Sequence, residues 1–209
     1  ALRPDVTLSI IKRIKNVNGV QKFFYDEKVY RVPKNSSTFR EISQAGIECI
    51  GSLDQKNILE VIELAIESLK IISGSRRFVL DVADVSRIKK YIPENEAGRQ
   101  IIKLISQKNI HELKNMGVCE ELIKAINAPA PLFPEMRSEY QEKIRVDYSV
   151  ISNLNYYNSI VFQGFIEGIP ERILTGGQYD NLLLSMGHKG MKAIGFAVSL
   201  DLIGAYLEC

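Results

Sequence analysis

The stretch NYYNSIVFQGFIEGIPERILTGGQYDNL, residues 155–182, combines strand-forming residues with features of a binding pocket. Two tyrosines open it, and a Gly-Gly pair and a third tyrosine close it. Between them, β-branched and aromatic residues predict strands at 159–167 and 171–175, and a helix follows at about 179–186. The tyrosines and glycines raise the question of whether this pocket is catalytic or only holds a ligand.

Upstream, two strand-like runs predict a hairpin. Residues 21–32 (QKFFYDEKVYRV), as one long strand or a strand pair, and residues 38–50 (TFREISQAGIECI) flank a segment of turn composition. Because side chains alternate between the two faces of a strand, Arg40, Gln44 and Glu48 share one face. Antiparallel sheets often have one solvated face, so this polar row by itself does not establish a site.

The central part of the sequence is predicted to be helical. A capping-box pattern at Ser52 and Gln55 begins a helix that ends at Gly74. A short buried strand is predicted at 78–82, and the segment that follows, about 84–134, is interpreted as a helical insertion. Breaks in its helices are predicted at Pro93, Gly98 and Gly117, and a linker at Pro129, Pro131 and Pro134.

The remaining segments complete the predicted fold. A helix begins near Pro4, a strand covers 144–153, and AIGFAVSLDLIGAYL at 193–207 is a strand running into a helix. Strands thus precede and follow the helices without the regular alternation that builds a parallel sheet, which predicts one α+β unit over residues 1–209 around an antiparallel sheet. Because the chain starts abruptly without an initiator methionine, we expect it to be a fragment of a longer protein.

The composition argues against several classes of protein. Lys and Arg number 27 and Asp and Glu 25, so the net charge of +2 does not support a nucleic-acid surface. No apolar run reaches the roughly 18 residues that span a bilayer, and no signal-peptide pattern is visible. The cysteines, Cys49, Cys119 and Cys209, are scattered, which favours a reducing, cytosolic compartment over a disulfide framework.

Generic catalytic and metal-binding motifs are absent from the sequence. There is no GxGxxG, GxxxxGK[ST] or GxSxG, so the usual phosphate-binding and hydrolase signatures are missing. His111 and His188 lie far from any pair of cysteines, and surface positions explain them better than a zinc site or a catalytic base. We therefore expect no metal and no cofactor.

Six stretches taken together resemble the catalytic domain of the histidyl-tRNA synthetases, which are class II aminoacyl-tRNA synthetases. That family carries LRPEGT, FR, FxQxGxExxG, LVRGLDYYxxTVFE, GGGRYDGL and GFAxGLERL in this order. The corresponding stretches here are LRPDVT (2–7), VYR (29–31), FREISQAGIECIG (39–51), NLNYYNSIVFQ (153–163), GGQYDNL (176–182) and GFAVSLDLI (195–203). The resemblance implies a class II synthetase-like antiparallel sheet flanked by helices, with a helical insertion.

Departures from the family pattern imply that catalysis is lost. The arginine of LVRGLDYY, which assists attack of the histidine carboxylate on ATP, is matched by Ser152. The arginine of the last motif, which holds the ATP phosphate, is matched by Leu202, and the glutamate before it by Asp201. The arginine-rich loop that follows Arg31 keeps only Lys34 as a cation. Since losing one preorganised donor lowers a rate about 10²- to 10³-fold, we expect no aminoacylation.

The amino-acid side of the family's pocket is kept. The resemblance implies that Asp5 faces the α-ammonium group of histidine, with Thr7 and Gln44 beside it. Glu48 and two tyrosines surround the imidazole, and the Gly-Gly pair lets backbone come close to a small ligand. The predicted histidine site consists of Asp5, Thr7, Gln44, Glu48, Tyr156, Tyr157, Gly176, Gly177 and Tyr179.

A non-catalytic branch of the same family matches more closely. The regulatory subunits of ATP phosphoribosyltransferase carry LRPDVT, YYNGIVFQGF and SGGQYD-like stretches, near to those here. The resemblance implies a subunit that joins a short catalytic partner, is required for its activity and takes part in feedback inhibition by free histidine in histidine biosynthesis. It also implies self-association of the full protein as a dimer, although the family's first motif is missing from this chain, and no binding of tRNA.

Three other interpretations remain open at the level of the sequence. In the first, the chain is a fragment of an active synthetase. In the second, it is a scaffold that no longer binds histidine. In the third, the pocket is a relic whose polar groups bond only to each other. Gln178 replaces the family's arginine and Asn155 its aspartate, and both changes weaken the prediction of a histidine site.

Overall fold

The computed structural model describes residues 4–14, 19–32, 37–151 and 156–207, which contain a seven-stranded sheet of order β1-β2-β7-β6-β5-β3-β4. Neighbouring strands are antiparallel except β3 and β4, which are parallel because the long helical segment between them returns the chain to the same end of the sheet. The strands are β1 Val20–Arg31, β2 Arg40–Gly51, β3 Phe78–Asp84, β4 Ile144–Val146, β5 Ile160–Ile166, β6 Leu174–Gln178 and β7 Lys192–Ser199. The predicted α+β class is confirmed.

The helices surround this sheet. In chain order they are α1 Val6–Ile11, α2 Gln55–Ser73, α3 Ser86–Lys89, α4 Glu96–Ser106, α5 Ile110–Asn115, α6 Glu120–Asn127, α7 Ser138–Gln141, α8 Asp180–Ser185 and α9 Leu200–Leu207. Within the described part of the chain, none of them is both long enough and apolar enough to cross a membrane.

The predicted hairpin is confirmed as two long strands. β1 and β2 pair over twelve residues each, from Val20 opposite Gly51 to Arg31 opposite Arg40. β2 then pairs with β7, so the polar residues of β2 lie well inside the sheet. The predicted turn falls partly on residues 33–36, which lie outside the described residues.

One face of the sheet is covered by α2. Ile62, Leu69 and Phe162 are fully buried between this helix and the strands. The helix ends at Gly74, as predicted, where a φ of 58° favours glycine. The predicted capping box at Ser52 and Gln55 is wrong by two residues, because the Asp54 side chain accepts from the backbone of Asn57, whose own side chain accepts from Asp54.

The other face carries two separate clusters with a gap between them. Helices α3 to α6 pack with Ala83 and Val161 of β3 and β5. Helices α1 and α8 pack on Ile50 and Ala193 of β2 and β7. The assignment of residues 84–134 as an insertion stays a prediction, although α3 to α6 do lie in that range.

Three local predictions need correction. Gly98 lies inside α4 instead of ending a helix, and a Cβ there would come within 1.7 Å of the Pro93 carbonyl oxygen. The predicted strand 144–153 stops at Val146, because the Asp147 side chain accepts from the Ser149 backbone and begins a 3-10 turn. The predicted strand 171–175 is shifted to β6, which includes the Gly-Gly pair.

Candidate ligand-binding site

A cavity of about 500 Å³ occupies the gap between the two clusters, above β2, β6 and β7. This volume is within the range of about 300 to 1,000 Å³ that small-molecule sites occupy. Seven of the predicted site residues line it, namely Asp5, Thr7, Gln44, Glu48, Tyr156, Tyr157 and Tyr179. The fold therefore brings together side chains from β2, α1 and the 156–179 segment that are far apart in the sequence.

Glycines in the strands make room for the polar side chains above them. A Cβ at Gly195 would lie 1.9 Å from Glu48 Oε2, and one at Gly46 would lie 2.6 Å from Cζ of Tyr25. On β6, a Cβ at Gly177 would lie 2.5 Å from Cδ1 of Tyr157. Backbone without side chains thus lets a carboxylate and two aromatic rings lie flat against the sheet.

The Gly-Gly pair of the predicted site lies outside the lining of the cavity. Gly176 points to the opposite face, where a Cβ would lie 2.4 Å from Cζ of Phe162, and the ring of Tyr157 lies over Gly177. The structure does not bring either glycine together with the seven residues that line the cavity, and the close approach of a ligand to their backbone stays a prediction. Because these two glycines have no side chains, the rings of Phe162 and Tyr157 can pack directly against the two faces of β6.

Glu48 is the most deeply buried carboxylate of the cavity, with 3% of its surface exposed. Its carboxylate accepts hydrogen bonds from Thr7 Oγ1 at 2.5 Å and from the hydroxyl of Tyr179. Burial raises the pKa of Glu48 to about 7, opposed by these two hydrogen bonds and increased by the nearby charge of Asp5. Near neutral pH the side chain can therefore accept a hydrogen bond in its ionised form or donate one when protonated.

Four tyrosines form the aromatic part of the wall. Tyr156 stacks edge to face on Tyr157 with ring centroids 4.7 Å apart, and its ring lies 6.0 Å from that of Tyr179. Burial raises the pKa of each of them and of Tyr25, which also lines the cavity. All four remain neutral phenols at physiological pH and offer apolar faces with polar tips, which suits a small aromatic ligand.

Asp5 lies at the edge of the cavity and ties α1 to the hairpin. Its carboxylate accepts from the backbone N–H of Leu8 at 2.9 Å and caps the helix. The Arg31 guanidinium lies 3.6 Å from Asp5 Oδ2, and its Nε donates to the Pro4 carbonyl at 3.2 Å. The partly exposed ion pair contributes little to stability, but it holds a carboxylate and a cation at the mouth of the cavity.

Arg172 also lines the cavity and was missed by the sequence analysis. It lies between β5 and β6, is exposed, and makes no hydrogen bond or ion pair with any residue that the structure describes. Burial, together with the charges of Glu48 and Asp5, raises the pKa of Tyr157 to about 12, whereas Arg172 and Arg31 act in the opposite direction. Two carboxylates and two guanidinium groups therefore act on the same hydroxyl group.

The positions that depart from the family's catalytic motifs have structural roles or lie outside the described residues. Leu202 packs against the main core, and Asp201 Oδ2 accepts from the backbone N–H of Ser43 at 3.2 Å. Gln178 is buried, and its side chain accepts from the backbone of Ile160 at 3.4 Å. Lys34, Ser152 and Asn155 lie outside the described residues.

Neither histidine lines the cavity. His111 is exposed on α5, and His188 is half-buried. Across residues 4–14, 19–32, 37–151 and 156–207, no group of three or more His, Cys, Asp and Glu side chains is placed to hold a metal ion. Cys49 is buried and Cys119 exposed, while Cys209 lies outside that part of the chain.

Comparison with known proteins identifies relatives across the whole chain. The family described as histidyl-tRNA synthetase matches residues 1–138 and 119–203. An ATP phosphoribosyltransferase regulatory subunit from Caldanaerobacter subterraneus subsp. tengcongensis is 30% identical over 251 residues, which cover 100% of this chain. The chain spans only 65% of the length of that relative.

Solved structures show the same fold. An ATP phosphoribosyltransferase regulatory subunit/histidyl-tRNA synthetase from Bacillus halodurans has a TM-score of 0.72 at 23% identity, covering 97% of this chain and 64% of its own. An ATP phosphoribosyl transferase (HisG:HisZ) complex from Thermotoga maritima has a TM-score of 0.70 at 17% identity, covering 95% of this chain and 81% of its own. The predicted class II synthetase-like fold is confirmed.

Proposed function

This chain belongs to the histidyl-tRNA synthetase family, and we propose that it acts there as a regulatory subunit of ATP phosphoribosyltransferase and not as a synthetase. One observation carries this proposal: the cavity keeps the groups that suit an amino acid, while Leu202, partly buried against the core, stands where the family pattern has its phosphate-binding arginine. The regulatory subunit that is 30% identical over the whole chain supports it.

The proposed effector is free histidine. Glu48 accepts from an imidazole N–H, and the neighbouring rings of Tyr156 and Tyr179, with centroids 6.0 Å apart, both line the cavity beside it. Asp5, at the mouth, suits the α-ammonium group. Because Glu48 and Asp5 both carry negative charge when ionised, the cavity favours a ligand with two N–H-bearing groups.

Without the phosphate-binding arginine, the chain is not expected to activate histidine. Removing a single preorganised donor of this kind lowers a rate about 10²- to 10³-fold. Arg31 and Arg172 remain in the cavity, so the absence of activation has to be measured. The assay is histidine-dependent exchange between pyrophosphate and ATP, and exchange above background would establish a synthetase instead.

Regulation follows from linkage between the histidine site and the partner. The proposed partner is a short catalytic ATP phosphoribosyltransferase subunit, and the complex of that name from Thermotoga maritima supports this choice. Bound histidine shifts the complex only if it prefers one arrangement over another. A coupling free energy of about 1 to 3 kcal/mol changes the populations roughly 5- to 150-fold.

The proposed assembly contains a dimer of the full protein, binds no tRNA and acts in the cytosol. The scattered cysteines, one buried and one exposed among the described residues, support a reducing compartment. Size measurement of the full protein with and without the catalytic subunit tests the assembly, and a filter-binding assay with tRNA tests the absence of tRNA binding.

The decisive experiment measures phosphoribosyltransferase activity of the short catalytic subunit with the full protein, with and without histidine. Activity is expected to require the protein and to fall with histidine. Glu48→Ala is expected to abolish the response to histidine, whereas Glu41→Ala, a change of an exposed glutamate on the same strand, keeps it. Binding of the catalytic subunit without any effect of histidine would instead indicate a scaffold, and a thermal-shift scan of amino acids separates the two cases.

A further inference from the structure

The residues assigned so far leave the α-carboxylate of a bound amino acid without a cation. A free amino acid carries an α-carboxylate as well as an α-ammonium group, and burying the carboxylate without a partner is unfavourable by several kcal/mol. The groups assigned above serve the ammonium and the imidazole. In the family pattern an arginine lies close to the carboxylate, but Ser152 stands at that position here.

Of the two guanidinium groups that line the cavity, that of Arg31 is already engaged. It lies 3.6 Å from Asp5 Oδ2 and donates to the Pro4 carbonyl at 3.2 Å. Turning it toward a ligand would break both contacts and release the beginning of α1 from the hairpin. Arg31 therefore suits the role of holding Asp5 in place.

Arg172 has no such engagement among the described residues. Its side chain is exposed at the cavity wall, and its five N–H donors form a planar fork that matches a carboxylate. Like Glu48 and Asp5 it lines the cavity, and it acts on the Tyr157 hydroxyl in opposition to them.

The backbone next to Arg172 is fixed, so its side chain starts from a defined point on the cavity wall. Ile173 is 1% exposed, donates its N–H to the Gly164 carbonyl at 2.9 Å and accepts from the Ser199 N–H at 2.9 Å. These bonds join the residue to β5 and β7 on either side. A side chain anchored on such a wall loses less conformational freedom on binding than one on a mobile loop.

We propose that Arg172 binds the α-carboxylate of the ligand amino acid and thereby selects a free amino acid over analogues without a carboxylate. The inference rests on the proposed function, since it takes histidine as the ligand. It adds a specificity-determining residue from the β5–β6 connection, which is outside the motifs that carry the family resemblance. With Asp5 at the ammonium group, the two charges of the backbone end of the ligand are then both paired.

Calorimetry of the full protein tests this with two ligands, L-histidine and L-histidinol, which has an alcohol in place of the carboxylate. Arg172→Gln is expected to weaken histidine binding roughly 10- to 100-fold and to change histidinol binding less than about twofold. Arg172→Lys keeps the charge but loses the fork, so it is expected to fall between wild type and Arg172→Gln. Arg99→Gln, a change of an exposed arginine on α4, is the control and leaves both ligands unaffected.

The outcomes separate this inference from the proposed function. Equal binding of histidine by wild type and Arg172→Gln overturns the inference and leaves histidine sensing in place. Equal weakening of both ligands also overturns it, because the effect would not depend on the carboxylate. If the wild type binds no histidine, both the effector assignment and the inference fail. Because Arg172 is exposed, the thermal midpoint of the variant is expected to match that of the wild type without ligand.

Discussion

At the scale of single residues, Glu48 is a buried carboxylate held by hydroxyl donors. Thr7 and Tyr179 donate to it, and no cation among the described residues lies within ion-pair distance. Burial favours the protonated form and raises the pKa of Glu48 to about 7, although the two hydroxyl donors act in the opposite direction. A ligand that donates an N–H would stabilise the ionised form, so the same carboxylate disfavours the empty folded state and favours a ligand.

The first prediction concerns stability against pH. The ordinary pKa of a glutamate is 4.5, whereas that of Glu48 is about 7 in the folded protein, so the folded state binds more protons between these values. The contribution of this group to stability is fully present below about pH 4.5 and is lost as the pH rises through about 7, by up to roughly 3 kcal/mol. Glu48→Gln is expected to remove this part of the pH dependence in urea unfolding at pH 5 and pH 8.

The control for this measurement lies on the same strand. Glu41 is exposed, and Lys28 and Tyr30 hold its pKa below its usual value. Glu41→Gln should therefore keep the loss of stability between pH 5 and pH 8 that the wild type shows. If Glu48→Gln retains that loss unchanged, the buried carboxylate is not its source.

The second prediction concerns the space that Gly195 leaves for Glu48. Gly195→Ala places a methyl group 1.9 Å from Glu48 Oε2 and 2.5 Å from the Ile47 carbonyl oxygen, so the carboxylate must move. We expect a loss of about 1 to 3 kcal/mol in the free energy of unfolding, together with weaker histidine binding. Gly204→Ala on α9 is the matched control, because no atom lies within 4 Å of its added methyl group. Equal stability of the two variants would contradict the tight fit at Gly195.

The sequence predicts some residues of the cavity better than others. Strand alternation alone places Gln44 and Glu48 on one face, and motif matching adds Asp5 and the tyrosines. Arg172 is not predictable in this way, because it lies in no motif and reaches the cavity only after β6 has joined β5 and β7. The orientation of Gly176 depends on the register of β6, which was predicted at 171–175 and begins at Leu174.

At the scale of elements, the periodicity of a segment is more predictable than its ends. The helical spacing of apolar residues predicts α2 and its end at Gly74, but its first residue depends on which side chain reaches the backbone. Ser52 and Asp54 both have the chemistry of a cap. The structure selects Asp54, because the backbone of Ser52 instead donates to the Gly19 carbonyl at 3.0 Å.

The third prediction tests this cap. Asp54→Ala removes the acceptor for the Asn57 backbone at the start of α2, and we expect a loss of about 0.5 to 2 kcal/mol in the free energy of unfolding. Ser52→Ala, which changes the residue favoured by the sequence pattern, should alter it by less than about 0.5 kcal/mol. Urea unfolding of both variants decides between them, and the reverse order would restore the cap predicted from the sequence.

At the scale of the whole molecule, the sheet separates packing from binding. α2 and the main core occupy one face, whereas the other face is covered only at its two ends and leaves the cavity between. The order of strands and helices was enough to predict the α+β class. The cavity was not predictable from any one segment, because its lining comes from the start of α1, from strands β1, β2, β6 and β7 and from Tyr156 and Tyr157, which are distant in sequence and meet only in the fold.

The last prediction concerns the proposed complex with the catalytic subunit and the coupling between its two ligands. If ATP favours the active arrangement and histidine the inactive one, each must weaken the binding of the other by the same factor. Calorimetry of histidine binding to the complex with and without saturating ATP, and of ATP binding with and without histidine, should give equal ratios of roughly 5 to 150. In the Glu48→Ala complex the effect of histidine on ATP binding is expected to vanish while ATP binding itself is kept. Ratios of one in both directions would show that the cavity binds histidine without any influence on the catalytic partner.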